Sequence, residues 1–433
     1  MTPAARLASA IEIFAAIESE RRPATDALKA WGLTHRFAGS GDRAAIAGLV
    51  YDALRRRASS AYIMGADTPR AIVLGMLQRE RGMDVDAVAR LADGSQYAPE
   101  ALTADERTRL TEADISGAPP YVAGDYPEWL EPHFSRAFGA ARAEEGAALA
   151  SRAPLDLRVN TLKGEPEAVA AMLSDLKPEA TRWSPWGLRI YLLADAKSPA
   201  IHAEPAFMKG MVEVQDEGSQ LAALFSNVKP GEQIVDLCAG AGGKTLAMAA
   251  MMQNKGQIFA TDDDKRRLAP IHDRLKRSGA RNVQVRTPKS VGGEISDLAG
   301  RMDLVLIDAP CTGTGAWRRN PDAKWRMRPG ALEQRQKEQA EVLGRAASLL
   351  KAGGRIAYVT CSVLEEENGA QIRAFLVQRP EFSIQPPAEI IQPLGERAFM
   401  LAKAARLSAE GILITPRTAG TDGFYVSVMR RPG

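Results

Sequence analysis

Gln233-Ile234-Val235-Asp236-Leu237-Cys238-Ala239-Gly240-Ala241-Gly242-Gly243-Lys244-Thr245 joins an apolar run to a glycine turn, and the Ala/Met-rich stretch Leu246 to Met252 follows it. The order is strand, turn, helix. Glycines let the backbone turn sharply and let a ligand approach the main chain, while the start of a helix offers unpaired N–H donors. Gly243-Lys244-Thr245 imitates the end of a phosphate-binding P-loop, but that motif requires glycine at position 238, where Cys238 stands. The dinucleotide pattern G-x-G-x-x-G fails as well, because Thr245 occupies its third glycine position. A nucleoside without a polyphosphate, such as S-adenosylmethionine, suits such a loop.

The next apolar run, Gln257-Ile258-Phe259-Ala260-Thr261, ends in Asp262-Asp263-Asp264, 26 residues after Asp236. An acid at the tip of the second strand is where α/β nucleotide folds hold ribose hydroxyls. Asp262, the first residue beyond the strand, is the expected ribose ligand. Asp264 is the expected cap of the helix carrying Lys265, Arg266 and Arg267.

Further along, Asp303-Leu304-Val305-Leu306-Ile307-Asp308 and Arg355-Ile356-Ala357-Tyr358-Val359-Thr360 read as buried strands, each followed by a cysteine: Asp308-Ala309-Pro310-Cys311 and Thr360-Cys361-Ser362. A single cysteine in such a place is more often core than nucleophile. Two thiols at the carboxyl ends of neighbouring strands, where ligands of parallel sheets gather, suggest nucleophilic catalysis. The chain has three cysteines in 433 residues and no C-x-x-C pair, and its histidines (His35, His133, His202, His272) are scattered. A structural disulfide and a metal site are therefore not expected, and a reducing, cytoplasmic setting is.

These pieces resemble the RsmB/NOP/Sun family of S-adenosylmethionine-dependent RNA 5-methylcytosine methyltransferases. DLCAGAGGKT (236–245), ATD (260–262), DAPCTGTGAWRRNPDAKW (308–325) and VTCSVLEEEN (359–368) carry the likeness, with LRVN (157–160), VEVQDEGSQ (212–220) and DGFYVSVMRR (422–431) in support. The resemblance implies an α/β fold with a Rossmann-like, class I methyltransferase sheet of seven strands. It implies S-adenosylmethionine at Cys238, Ala239, Gly240, Ala241, Gly242, Gly243, Lys244, Asp262 and Asp308. It makes Cys361 the nucleophile that adds to C6 of cytosine, and Cys311 the base or leaving-group assistant. Asp308 would meet the base edge near N3. Lys244 would lower a thiol pKa or hold the substrate; as a residue it can equally satisfy the start of its helix. One departure stands out: the third strand, Asn282 to Arg286, runs into Thr287-Pro288-Lys289-Ser290, with no aspartate to read the adenine amino group.

The net charge is +3, divided as −4 over residues 1–150 and +7 over the remainder. One basic cluster, Lys265 to Arg286, reads as a solvated helix face. In another, Arg318, Arg319, Lys324, Arg326 and Arg328 interleave with Trp317 and Trp325 directly after Cys311. Guanidinium groups among stacking surfaces are what single-stranded RNA recognition demands, so Trp317, Arg318, Arg319 and Lys324 are expected RNA contacts.

Residues 1–145 show helical spacing, with Leu7, Ile11, Phe14 and Ala15 on one apolar face and Ile46, Leu49, Val50, Ala53 and Leu54 on another. LVYDALRRRASS (49–60) resembles a helix of NusB-like RNA-binding domains, and the polar stretch Asp93 to Thr111 reads as loops. By the family resemblance residues 146–228 are a small α/β lobe that helps hold RNA against the core, in which Arg158 and Asn160 either contact RNA or stitch the lobe to the core; Gln215 and Asp216 are expected to border the cleft. Residues 229–433 are the catalytic domain, with Gly411 to Thr415 and Phe424 to Met429 completing the sheet. Glu12 interrupts the first apolar run, which argues against a signal peptide, and no run of eighteen apolar residues exists to span a membrane. A NusB-like first domain resembles the arrangement of bacterial small-subunit rRNA enzymes, which puts rRNA ahead of tRNA as substrate; the sequence does not show the oligomeric state, and a monomer is favoured. A catalytically silent RNA-binding assembly factor is the alternative.

Overall fold

The computed structural model describes residues 1–192, 199–288 and 293–433. The chain folds into two compact units. One comprises Met1–Arg152 and Trp317–Arg328; the other holds the remaining described residues.

The first unit is helical. Its opening helix, Pro3–Glu20, is capped by Thr2, whose side chain accepts from Ala5 N. It buries Leu7, Ile13 and Phe14, while Ser40–Arg55 contributes Ile46, Val50 and Ala53 to the same core. Ile46, Val50, Ala53 and Leu54 follow the second expected face; on the first, Leu7 and Phe14 are buried and Ile11 packs at the margin, but Ala10, Ile13 and Ile17 fill the core in place of Ala15. The stretch Asp93 to Thr111 is not all loop: Ala104–Thr111 is a helix, started by a capping box in which Glu106 N donates to Thr103 Oγ1 at 3.1 Å and Thr103 N to Glu106 Oε2 at 2.9 Å.

Residues 317–328 supply this unit with interior side chains. Trp317 is 1% exposed and stacks on Phe134. Lys324 is fully buried, and its Nζ donates to the carbonyls of Arg55 (3.0 Å) and Asp125 (2.6 Å). Arg318 is buried, and its carbonyl accepts from Arg55 Nη2. The expectation that Trp317, Arg318 and Lys324 face RNA is thus corrected: their surfaces are covered by protein. Arg319 is half-buried and the most exposed of those four.

The second unit contains two sheets. The smaller has strands β1 (Leu155–Val159), β2 (Glu179–Ala180), β3 (Gly187–Ile190) and β4 (Val212–Val214), in the antiparallel order β2-β3-β1-β4. Leu157, Val159, Leu188, Ile190 and Val212 form its core.

The larger sheet comprises β5 (Gln233–Asp236), β6 (Gln257–Ala260), β7 (Val283–Val285), β8 (Met302–Asp308), β9 (Leu350–Thr360), β10 (Ser383–Ile384), β11 (Arg406–Leu407), β12 (Ile412–Ile414) and β13 (Phe424–Arg430). Its order is β11-β12-β13-β9-β8-β5-β6-β7, with β10 paired to β13. Strands β7, β6, β5, β8 and β9 are parallel, and β13 runs antiparallel between β9 and β12. The expected seven strands are all present; β10 and β11, two residues each, extend them. Strands β5, β8 and β9 read as unbroken apolar runs because both faces are covered: Ile234, Leu304, Leu306 and Ala357 enter one core, and Val235, Val305, Ile307 and Ile356 another. Pairing of Asp236 with Leu306 and Ala260, and of Asp308 with Val359, aligns the carboxyl ends of four strands along one edge. Among the described residues, no helix is long and apolar enough to cross a membrane.

Candidate active site

The glycine turn after β5 is held by its neighbours. Gly240 N donates to Asp262 Oδ2 at 2.9 Å, and Asp262 Oδ1 accepts from Asp264 N at the same distance. Arg274 Nη1 donates to the carbonyl of Ala241, and Arg158 Nη1 to that of Gly243 at 2.6 Å. Gly242 has φ +82°, and a Cβ there would lie 2.5 Å from Ile271 Cγ1, so only glycine fits between the turn and that helix. The helix Gly243–Met251 begins at once, presenting its first N–H groups beside the turn.

A cleft of about 410 Å³ opens here. Of the expected cofactor residues, Cys238, Ala239, Gly240, Ala241, Gly243, Lys244 and Asp308 line it, joined by Asp236 and Gln215. Gly242 packs on Ile271, and Asp262, 3% exposed, sits beneath Gly240. Asp216 caps the helix Glu217–Phe225 through Gly218 N and also accepts from Asp422 N, so it supports the cleft without lining it.

Asp236 lies at the base of this cleft. Burial pushes its carboxyl up to about 7, against the hydrogen bond from Thr245 Oγ1 at 2.6 Å and with the help of the Asp308 charge. Its other oxygen, Oδ1, is buried and has no hydrogen-bond partner among the described residues. Lys244 is 7% exposed; its ammonium is 2.7 Å from Asp308 Oδ2 and 5.2 Å from the ring centroid of Phe424.

Cys311 stands three residues beyond Asp308 in the chain, and there it meets a second thiol. Cys311 Sγ and Cys361 Sγ are 3.3 Å apart, both free and half-buried. The hydrogen bond with Cys361 raises the Cys311 thiol well above its ordinary range; burial and the charge of Glu367 add to this. Burial raises Cys238 likewise, helped by the neighbouring carboxylates of Asp262, Asp236 and Asp308, so that third cysteine stays a neutral wall of the cleft.

Sequence reasoning missed the group that ties the two cysteine turns together. Glu367, fully buried, accepts from Thr312 N at 2.8 Å, from Thr312 Oγ1 and from Ser362 Oγ. Gln339 Nε2 donates to both Glu367 Oε1 (3.0 Å) and the carbonyl of Pro310 (2.9 Å). Asn368 exchanges hydrogen bonds with Thr360 and Ser362. The residue following each thiol is thereby fastened to one carboxylate. Glu367 is the third of three consecutive glutamates, and only the spacing of TCS to Glu367-Asn368 marks it in the sequence.

Arg158 and Asn160, left open between RNA contact and stitching, both stitch. Arg158 reaches Gly243 O and Gln215 Oε1, and Asn160 Nδ2 donates to the carbonyls of Gly210 and Ser278 at 2.8 Å; both residues are buried. On the neighbouring strand, Glu213 is gripped by Arg274 and Arg277. The third strand is followed by Thr287 and Pro288; Lys289 and Ser290, where the aspartate is missing, lie outside the described residues.

Known proteins resemble this chain in sequence and fold. The family model described as 16S rRNA methyltransferase RsmB/F matches residues 223–430, and a ferredoxin-like domain of RsmF/B-like methyltransferases matches 126–194. A probable ribosomal RNA small subunit methyltransferase B from Synechocystis sp. is 32% identical over 309 residues, covering 71% of this chain and 67% of the relative. The chain spans between three fifths and two thirds of the length of that protein and of two further relatives of the same description. The crystal structure of PH0851 has a similar fold, with a TM-score of 0.72 and 24% identity over 100% of this chain and 99% of that one. A methyltransferase homologue from Pyrococcus horikoshii has a TM-score of 0.58 at 25% identity, covering 72% and 97%. The glycine turn, the paired thiols and these matches together show that the chain belongs to the RsmB/F family of 16S rRNA methyltransferases.

Proposed function

We propose that this chain methylates C5 of a cytosine in RNA, with small-subunit rRNA as the substrate and S-adenosylmethionine as the methyl donor. The observation that carries the reading is the 3.3 Å thiol pair, whose Cys311 stands three residues beyond Asp308, a wall of the nucleoside-sized cleft. S-adenosylmethionine fits the cleft: the unpaired Asp236 Oδ1 and the Asp308 carboxylate suit a cationic ligand, and the glycine turn admits close approach to the backbone. Asp262 oxygens, each accepting one backbone N–H, retain lone pairs for a ribose hydroxyl. When bound, the cofactor supplies an electrophilic methyl group.

C5 of cytosine is a poor nucleophile until a thiolate adds to C6. Cys361 is assigned that addition, because the Cys311 thiol beside it, raised well above its ordinary range, holds its proton. Asp308 meets the base at N3 and favours its protonation as charge develops there, with Lys244 fixing the carboxylate. Release breaks the C6–S bond and restores the C5–C6 double bond. Cys311 gives its proton to the departing Cys361 sulfur and takes the C5 proton in return. Arg319 and the helical unit are assigned to hold the RNA.

Incubating the chain with S-adenosylmethionine and unmodified small-subunit rRNA, then digesting to nucleosides, tests this reading by mass spectrometry. Formation of 5-methylcytidine is expected; a methyl group on another atom or base, or none, contradicts it.

A further inference from the structure

A second cleft, of about 350 Å³, lies where the strand pair β2–β3 meets the turn Pro416–Gly420. It is lined by Thr181, Arg182, Arg189, Tyr191, Arg417 and Thr418, with no carboxylate among the described residues that line it. Arg189 is already matched, since its fork grips Asp156 (2.7 and 2.8 Å) and reaches Glu217. Arg182 and Arg417 are exposed at the opening, and the Tyr191 ring, 65% exposed, lines it with them.

The opening is built rather than incidental. Buried Trp183 bolts its two walls together: Nε1 donates to the carbonyl of Ala419 at 2.8 Å, and Arg397 Nη1 donates to the carbonyls of Trp183 and Ser184. The guanidinium of Arg182 lies 4.3 Å over the Trp183 ring, which orients it. The chain that forms one wall continues through Thr421 to Gly423 into Phe424, whose ring faces the Lys244 ammonium, and Tyr425 pairs with Thr360 beside Cys361. One short segment thus borders both this cleft and the thiol site.

An exposed aromatic face flanked by two guanidinium groups, with no acid among the described residues of the lining, matches the alternating base and phosphate of a single strand. We infer that this cleft is a flanking-nucleotide subsite, in which Tyr191 stacks a base and Arg182 and Arg417 hold adjoining phosphates of the RNA whose cytosine enters the thiol site. The inference rests on the RNA reading above and adds residues that it does not use.

The test is fluorescence anisotropy of a short, labelled single-stranded RNA with the full chain, comparing wild type, Tyr191→Ala and the double variant Arg182→Glu/Arg417→Glu. S-adenosylhomocysteine affinity reports that each variant is folded. The double variant should bind RNA at least about tenfold more weakly, with a salt slope reduced by about 0.7 for each phosphate no longer neutralised. Tyr191→Ala should weaken binding by about tenfold, because the base has no ring to stack on. Unchanged RNA affinity and slope in variants that keep cofactor affinity would overturn the subsite while leaving 5-methylcytidine formation, and so the reading above, intact. Binding abolished for an acidic peptide but not for RNA would assign the cleft to a protein partner and likewise overturn it. RNA binding that depends on these residues, without any 5-methylcytidine, would keep the subsite and remove the proposed chemistry.

Discussion

Cys311 Sγ lies 3.3 Å from Cys361 Sγ although fifty residues separate them, because parallel strands β8 and β9 end side by side. Closing that gap to the roughly 2.05 Å of an S–S bond requires only a small shift. Mild oxidation with hydrogen peroxide is therefore expected to bridge the pair, with loss of methyl transfer and its return on reduction. Peptide mapping should find Cys311 joined to Cys361 and Cys238 free. A bridge involving Cys238 would contradict the geometry.

Glu367 holds both cysteine turns from a fully buried position. Glu367→Ala leaves Thr312 N and two hydroxyls without their acceptor, a loss worth about 1–3 kcal/mol. Glu367→Gln keeps an acceptor and should lose less. Urea unfolding measures both; an alanine variant as stable as wild type would remove Glu367 from the scaffold.

The Lys244–Asp308 pair is asymmetric, with side chains 7% and 36% exposed respectively. Asp308→Asn leaves a buried ammonium without its paired charge, with the Phe424 face and the neighbouring Asp236 carboxyl beside it, whereas Lys244→Met leaves a carboxylate that water can reach. The asparagine variant should therefore be the less stable of the two, by about 1 kcal/mol after discounting for solvent screening. The reverse order in thermal unfolding would contradict this. Both variants should lose methyl transfer.

Lys324 carries the clearest pH signature. Burial pulls its ammonium down to about 7 from the usual 10.5, against the attraction of Asp125. An unfolded lysine keeps its proton up to its ordinary value, whereas the folded one releases it above about 7. Between those values the unfolded state binds more protons, so this group makes stability rise with pH, by up to about 1.4 kcal/mol per unit. Lys324→Met should flatten the pH dependence of urea unfolding between about pH 7 and 9. A slope identical to wild type would show that Lys324 is not the titrating group.

Much of this was legible beforehand, for identifiable reasons. Strands β5, β8 and β9 are apolar runs that only a doubly covered sheet accommodates, and the glycine turn and both cysteines sit at their ends. The first helices show their buried faces at helical spacing. The segment 317–328 deceived because arginines interleaved with tryptophans look alike whether their rings meet bases or a protein core. Here Phe134 and the carbonyls of Arg55 and Asp125 take the contacts instead. Glu367 was hidden among Glu365 and Glu366, since no local rule says which of three adjacent acids turns inward. Ala104–Thr111 was read as loop from its polarity, although Thr103 and Glu106 spelled out its cap.

The division of labour between the thiols is tested most directly by a denaturing gel of labelled RNA incubated with S-adenosylmethionine and wild type, Cys311→Ala or Cys361→Ala protein. The account predicts that Cys311→Ala accumulates a covalent protein–RNA band, because the methylated adduct cannot be released, while Cys361→Ala forms none and transfers no methyl group. A covalent band with Cys361→Ala, and none with Cys311→Ala, would contradict it and make Cys311 the nucleophile.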